Sequence, residues 1–161
     1  MTGTPTAAPW VASYELARRG LERALDGISD TEALIVPRSG CNSVNWLVGH
    51  ILLYRNRIHE VLGLEPAWPE GLGSSEPYQR GSSPSSGVLI VPLSELRAAL
   101  EWSERIVLQR LGELQPEHLA AAATPTRTVG EQLALFGAHD FYHLGQLGTV
   151  RRLLGKPGAL G

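Results

Sequence analysis

The sequence predicts an all-α protein, a four-helix bundle joined by long crossover links. Three observations predict it. Four segments carry the three-and-four-residue apolar period of amphipathic helices. No segment alternates apolar and polar residues convincingly over the length of a strand. Capping residues open the helical segments, and glycines stand where they should stop.

The first helix is expected over residues 10–26, with Val11, Tyr14, Ala17, Leu21, Ala24 and Leu25 on one side and Gly27 as its stop. Residues 1–9 hold no positive stretch and no apolar run, so they read as a disordered lead-in and not as a signal peptide. The second helix is expected over residues 44–62, with Asn42 or Ser43 as its cap and Gly63 at its end. The third follows Pro92 over residues 93–111, and Leu93, Leu96, Leu100, Val107, Leu111 and Leu114 form its stripe. The fourth is expected over residues 129–154. It opens on Thr128-Val129-Gly130-Glu131, a capping-box pattern, and closes at Gly155 with Pro157 beyond.

The links at residues 27–42 and 112–127 are each long enough to let the next helix return parallel to the one before. The middle link, residues 63–91, is longer and rich in Gly, Pro and Ser. Loops beyond about 15 residues are functional or mobile. Two readings stand for it: a cover anchored over one end of the bundle by Trp68 and Tyr78, or a disordered insert. No internal repeat is present, and residues 10–161 read as one bundle domain.

Composition narrows the function. Of 161 residues, 43% are apolar and 19% charged, which is the balance of a globular domain. The net charge of −2 and the lack of a basic stripe argue against a nucleic-acid partner. No run approaches the ~20 apolar residues of a membrane span. The single cysteine, Cys41, excludes an intramolecular disulfide and a multi-cysteine zinc site. The expectation is a soluble cytoplasmic protein acting on a small molecule.

Three histidines carry the chemistry. His139 and His143 are spaced i, i+4, which puts both rings on one face of the fourth helix. That face continues through Gln132, Phe136, Gln146, Val150 and Leu153, the expected inward seam. His50 falls among Trp46, Leu47, Ile51, Leu53 and Tyr54 on the second helix, opposite a polar arc of Asn45, Gly49, Asn56 and Glu60. It too is expected to point inward. One inward histidine is an ordinary hydrogen-bonded core residue. Three on two helices are costly to bury without a shared partner, and one divalent metal ion on His50, His139 and His143 relieves that cost. His59, at the edge of the polar arc, and His118, in a loop after Pro116, read as surface residues.

Other metal motifs fit less well. In His139-Asp140-Phe141-Tyr142-His143 an Asp stands where a zinc peptidase has Glu, one methylene too short, and no further ligand follows. The Glu-x-x-His pair of di-iron bundles is absent.

The segment Asn42-Ser43-Val44-Asn45-Trp46-Leu47-Val48-Gly49-His50 resembles the second-helix signature of the DinB/YfiT-like superfamily. His139-Asp140-Phe141-Tyr142-His143-Leu144-Gly145-Gln146 resembles its closing signature, H-x-x-x-H-R-G-Q. The resemblance covers residues 14–157. It implies an up-up-down-down bundle, a three-histidine site holding zinc or nickel with water at the open positions, and a homodimer. One departure stands out: Leu144 occupies the position of the signature's Arg, which leaves the binding of an anionic thiol open.

By the same resemblance the protein is a metal-dependent enzyme. It transfers a low-molecular-weight thiol such as bacillithiol to an electrophile, as S-transferases do, or hydrolyses a small molecule by metal-activated water. The alternative is a non-catalytic, metal-binding, stress-associated dimer. Gln146, one turn beyond His143, Asp140 and Tyr142 are the candidate residues for assisting catalysis. Cys41 reads as an incidental thiol.

Overall fold

The computed structural model describes residues 6–82 and 90–159, and within them the chain is mostly helical. Four long helices dominate: α1 (Ala8–Leu25), α3 (Val44–Leu62), α4 (Leu93–Glu113) and α6 (Val129–Leu153). α2 (Asp30–Ala33), α5 (Pro116–Ala120) and a 3₁₀ turn, Glu76–Tyr78, lie in the links. So does a small antiparallel hairpin of β1 (Ala122–Thr124) and β2 (Arg127–Thr128). The hairpin corrects the expectation of no strand. Its arms are too short to show an alternating pattern.

The caps explain the helix boundaries. Ser43 accepts from the Trp46 N–H at the start of α3, and Gly63 ends that helix at a φ of 67° that only glycine adopts without strain. Thr128 and Glu131 cap α6 reciprocally, as their spacing predicts. α1 starts earlier than expected, because Pro9 is tolerated in a first helical turn. The expected lead-in therefore loses Ala8 and Pro9 to the helix, and residues 1–5 lie outside the described residues.

Each long helix packs on two others: α1 on α4 and α6, and α3 on α4 and α6. The predicted stripes of α1 and α4 are the ones buried. The buried face of α6 is wider than the expected seam: Gln132, His143 and Val150 of that seam are buried, and a second row joins them. Leu133, Gly137, Asp140, Leu144, Leu147 and Arg151 face the interior, while Leu153, expected inward, is 45% exposed. Glycine and charged residues give no apolar signal, so this row was hidden. Arg151 finds tertiary partners there: it donates to the carbonyls of Pro157 (2.7 Å) and Ala24 (3.2 Å).

The middle link, as far as it is described, is a packed cover. The Tyr78 ring lies on Gly49, where a Cβ would meet ring carbons at 2.1 Å. The Tyr78 hydroxyl donates to Asn45 Oδ1 (3.1 Å) and accepts from the Val91 N–H (3.0 Å), and Asn45 donates to the Val91 carbonyl (2.8 Å). The supposed polar arc of the second helix is thus covered at Asn45 and Gly49, with Asn45 satisfied by the link. Residues 83–89 of the link lie outside the described residues.

Candidate metal centre

α3 brings His50, and α6 brings His139 and His143, to one place. Each of the three rings offers one nitrogen, and these nitrogens all lie within 4.8 Å of one another. His139 Nε2 and His143 Nε2 are 3.1 Å apart. Two imidazole nitrogens on one tetrahedral ion at about 2.0–2.1 Å each stand about 3.3 Å apart, so that spacing suits a shared ion.

The outer nitrogens of two rings are already engaged. His50 Nδ1 meets the Tyr78 carbonyl at 2.7 Å. A carbonyl only accepts, so Nδ1 carries the proton and Nε2 is left with its lone pair. His143 Nδ1 likewise donates to Gln146 Oε1 (2.7 Å), whose amide nitrogen in turn donates to the Tyr142 hydroxyl (3.3 Å). Such partners fix tautomer and orientation in metal-binding histidines. The donor set therefore fits a divalent ion of the zinc type: three converging imidazole nitrogens, with the outer protons of His50 and His143 held and their lone pairs directed inward.

Aromatic packing fixes the planes. Trp46 stacks on His50 with ring centroids 4.5 Å apart, and Tyr54 stacks on His139 at 4.0 Å. Burial pushes both His50 and His143 below the usual histidine range, His143 to about 4, so both are neutral at neutral pH. A cleft of about 600 Å³ opens beside Tyr54, lined also by Leu53, Asn56, Arg57, Glu60, Gln79 and Arg80. Its last two lining residues come from the middle link.

The other candidates separate. Gln146 is part of the site, as the acceptor for His143. Tyr142 is 64% exposed at the rim. Asp140, expected off the ligand seam, points into the core and is 1% exposed. There its carboxylate pairs with Arg55 of α3 at 2.8 Å, and Glu104 of α4 stands 3.9 Å from the same guanidinium. Burial is the main cause that pushes the Glu104 carboxyl up to about 7. Arg55 and Glu104 were not legible as partners, because nothing in the spacing links two charges so far apart in the chain.

Two expected surface histidines also part company. His59 is 0% exposed, bonded at Nδ1 to the Glu65 carbonyl and at Nε2 to Ser103 Oγ (2.8 Å). The link covers the helix edge that the pattern left to solvent. His118 is exposed as expected, but it sits in α5, where its Nδ1 accepts from the Gln115 N–H (3.1 Å). Leu144 lies buried against Gly20 of α1 and not at the metal centre. Cys41 is half-buried and lines a cavity of about 320 Å³ with Leu47, Tyr142 and Gln146.

Fold and site together define a class: a mostly helical protein with a three-histidine cluster that can take a metal ion. The chain belongs to the DinB superfamily, whose family model matches residues 13–147. Its fold is similar to that of a conserved protein from Enterococcus faecalis, known from a crystal structure. The TM-score is 0.75 with 20% sequence identity, over 97% of this chain and 99% of that one. No curated protein matches the chain. Among the described residues, no helix is long and apolar enough to cross a membrane.

Proposed function

We propose that this protein is a metal-dependent enzyme of the DinB type, with His50, His139 and His143 holding one zinc or nickel ion. The observation that carries the reading is the convergence of three ring nitrogens within 4.8 Å. Bound there, the ion supplies Lewis acidity, which makes water or a thiol a nucleophile near neutral pH. The protein's own part is to hold and shield. Tyr78 and Gln146 keep the protons of His50 and His143 on their outer nitrogens. Trp46 and Tyr54 exclude water from two ring faces. The cleft beside Tyr54 has the size for a small substrate, and Arg80 gives it a cationic group, while Arg57 is paired with Glu60 at 3.1 Å. The Arg80 guanidinium suits a carboxylate-bearing thiol such as bacillithiol, a role that buried Leu144 does not fill.

The reaction proposed is thiol transfer to an electrophile, with hydrolysis by metal-activated water as the second use of the same site. The bundle is read as up-up-down-down, since the packing pairs α1 and α3 each with α4 and α6 and leaves α1 and α3 without a comparable interface. A cytoplasmic homodimer fits the exposed Leu16 on α1 and Leu135 on α6.

Metal analysis of untagged protein, followed by incubation with a low-molecular-weight thiol and an epoxide or chlorinated aromatic, tests the reading. The expected result is close to one equivalent of metal and thioether formation that His143→Ala abolishes. Metal without turnover across a broad electrophile and ester panel would favour the non-catalytic, stress-associated dimer. Zinc and nickel together below one-tenth equivalent would leave the histidines as packing residues.

A further inference from the structure

Two of the three rings at the metal centre have an outer partner, and the third does not. His50 donates to a carbonyl and His143 to a side-chain amide oxygen, both at 2.7 Å. His139 Nδ1 is buried with no hydrogen-bond partner among the described residues. Asp140 Oδ1, buried and equally unpartnered, lies 3.8 Å from it. That gap is longer than the roughly 2.7–3.2 Å of an N–H···O bond. Arg55 Nε is a further orphaned donor on the same carboxylate's partner, but His139 Nδ1 needs an acceptor, and Asp140 Oδ1 is the carboxylate oxygen beside it. An orphaned buried polar atom is costly, and two complementary ones side by side are more economically explained as partners.

The carboxylate is also held in place. Its other oxygen, Oδ2, pairs with Arg55 Nη2 at 2.8 Å, and both side chains are 1% exposed. Arg55 belongs to α3, the helix that carries His50, so the clamp spans the same two helices as the site. Tyr54 stacks on the His139 ring with planes 17° apart. The ring can therefore move in its own plane toward Asp140 more easily than it can tilt.

We infer that Asp140, clamped by Arg55, is the positioning residue for His139: it accepts the Nδ1 proton and fixes Nε2 toward the ion. The inference rests on the reading of the three histidines as a metal site. With it, every ring has an outer partner, and the one charged partner comes from the core. Metal-binding histidines almost always donate their second N–H in this way, to a carboxylate, carbonyl or water. Asp140 acts through His139 and touches no substrate.

Zinc affinity, read by competition with a chromogenic chelator, tests this alongside the ¹H–¹⁵N spectrum of the zinc-loaded imidazoles. Asp140→Asn should weaken zinc binding about 10–100-fold. It should also move the His139 Nδ1 proton upfield from its carboxylate-bonded position, a change that a merely structural ion pair would not produce. If Asp140→Asn fails to fold, the triple substitution Arg55→Met, Asp140→Asn and Glu104→Gln removes all three buried charges at nearly constant volume, and the same two changes are expected. Zinc affinity within about threefold of wild type in either folded variant, or an unmoved Nδ1 proton, overturns the inference. Absence of zinc uptake by the wild type overturns the metal reading and this inference with it. Wild-type uptake with an unchanged variant overturns this inference alone.

Discussion

Helix α3 carries two buried histidines in opposite conditions. His59 is complete: a carbonyl and a serine hydroxyl take up both ring nitrogens. His50 is half complete: Tyr78 holds one nitrogen, and the other turns toward two more imidazoles. The first arrangement is stable as it stands, because each desolvated polar atom has recovered a partner within the protein. The second gathers lone pairs that repel unless a cation or a proton comes between them. Burial depresses protonation at His50 and His143, which favours the cation. Thus a buried histidine signals a site only when its neighbours leave it unfinished.

Four predictions bear on this contrast, from the largest effect down. Between the two histidines lies Arg55, which among the described residues is the cation ion-paired within a buried cluster with Asp140 and Glu104. Arg55→Met should destabilise the protein by about 3–5 kcal/mol in urea unfolding, because it strands buried charge. A loss below about 1 kcal/mol would mean the cluster is hydrated and cheap to break.

Glu104 should act in the opposite sense. Its folded pKa, about 7, lies above the ordinary carboxylate value of 4.5. A raised pKa means that the folded state binds the proton more tightly. The stability it contributes is therefore full below 4.5 and is lost as pH rises through about 7. Arg55 from α3, Asp140 from α6, Arg18 from α1 and Glu101 from α4 itself act on this carboxyl. Glu104→Gln should be more stable than wild type at pH 8, by on the order of 1–3 kcal/mol. The difference should shrink toward zero near pH 5, as read by thermal melts across that range.

Gly49→Ala should cost about 1–3 kcal/mol, since the new methyl would drive the Tyr78 ring off α3. Displacing Tyr78 also removes the carbonyl that holds His50, so metal affinity should fall together with stability. A stable variant with wild-type affinity would detach the cover from the site.

The last prediction sets the two environments side by side. His59→Ala should cost about 1–2 kcal/mol by leaving Ser103 and the Glu65 carbonyl without a partner, and should leave metal binding intact. His143→Ala should change the metal-free protein by less than about 1 kcal/mol while abolishing metal binding, because relief of the converging ring nitrogens offsets the lost bond to part-exposed Gln146. Equal effects of the two substitutions would erase the distinction.

Much of the fold was legible because its signals are local. Ser43, Gly63, Thr128 and Glu131 mark helix ends through bonds that span three or four residues. The stripes of Leu96, Leu100, Val107 and Leu111 on α4 and of Ala17, Leu21 and Ala24 on α1 are apolar, so their period shows. Of the site, the i, i+4 pair and the apolar surroundings of His50 were legible for the same reason. What stayed hidden was the second buried row of α6, where Gly137, Asp140 and Arg151 break the apolar pattern, and the burial of His59 and Asn45 beneath the link.

The sequence by itself determined where the long helices start and stop and which three histidines share two helices, since both follow from residue type at fixed spacing along one chain. Only the tertiary structure decided which polar residues are buried, because burial depends on what other segments lay across them. Tyr78 completing Asn45 and holding His50, Arg55 meeting Asp140, and Ser103 finishing His59 are all contacts between segments distant in the chain. Their free energy comes from excluding water between those segments, and no local spacing records it.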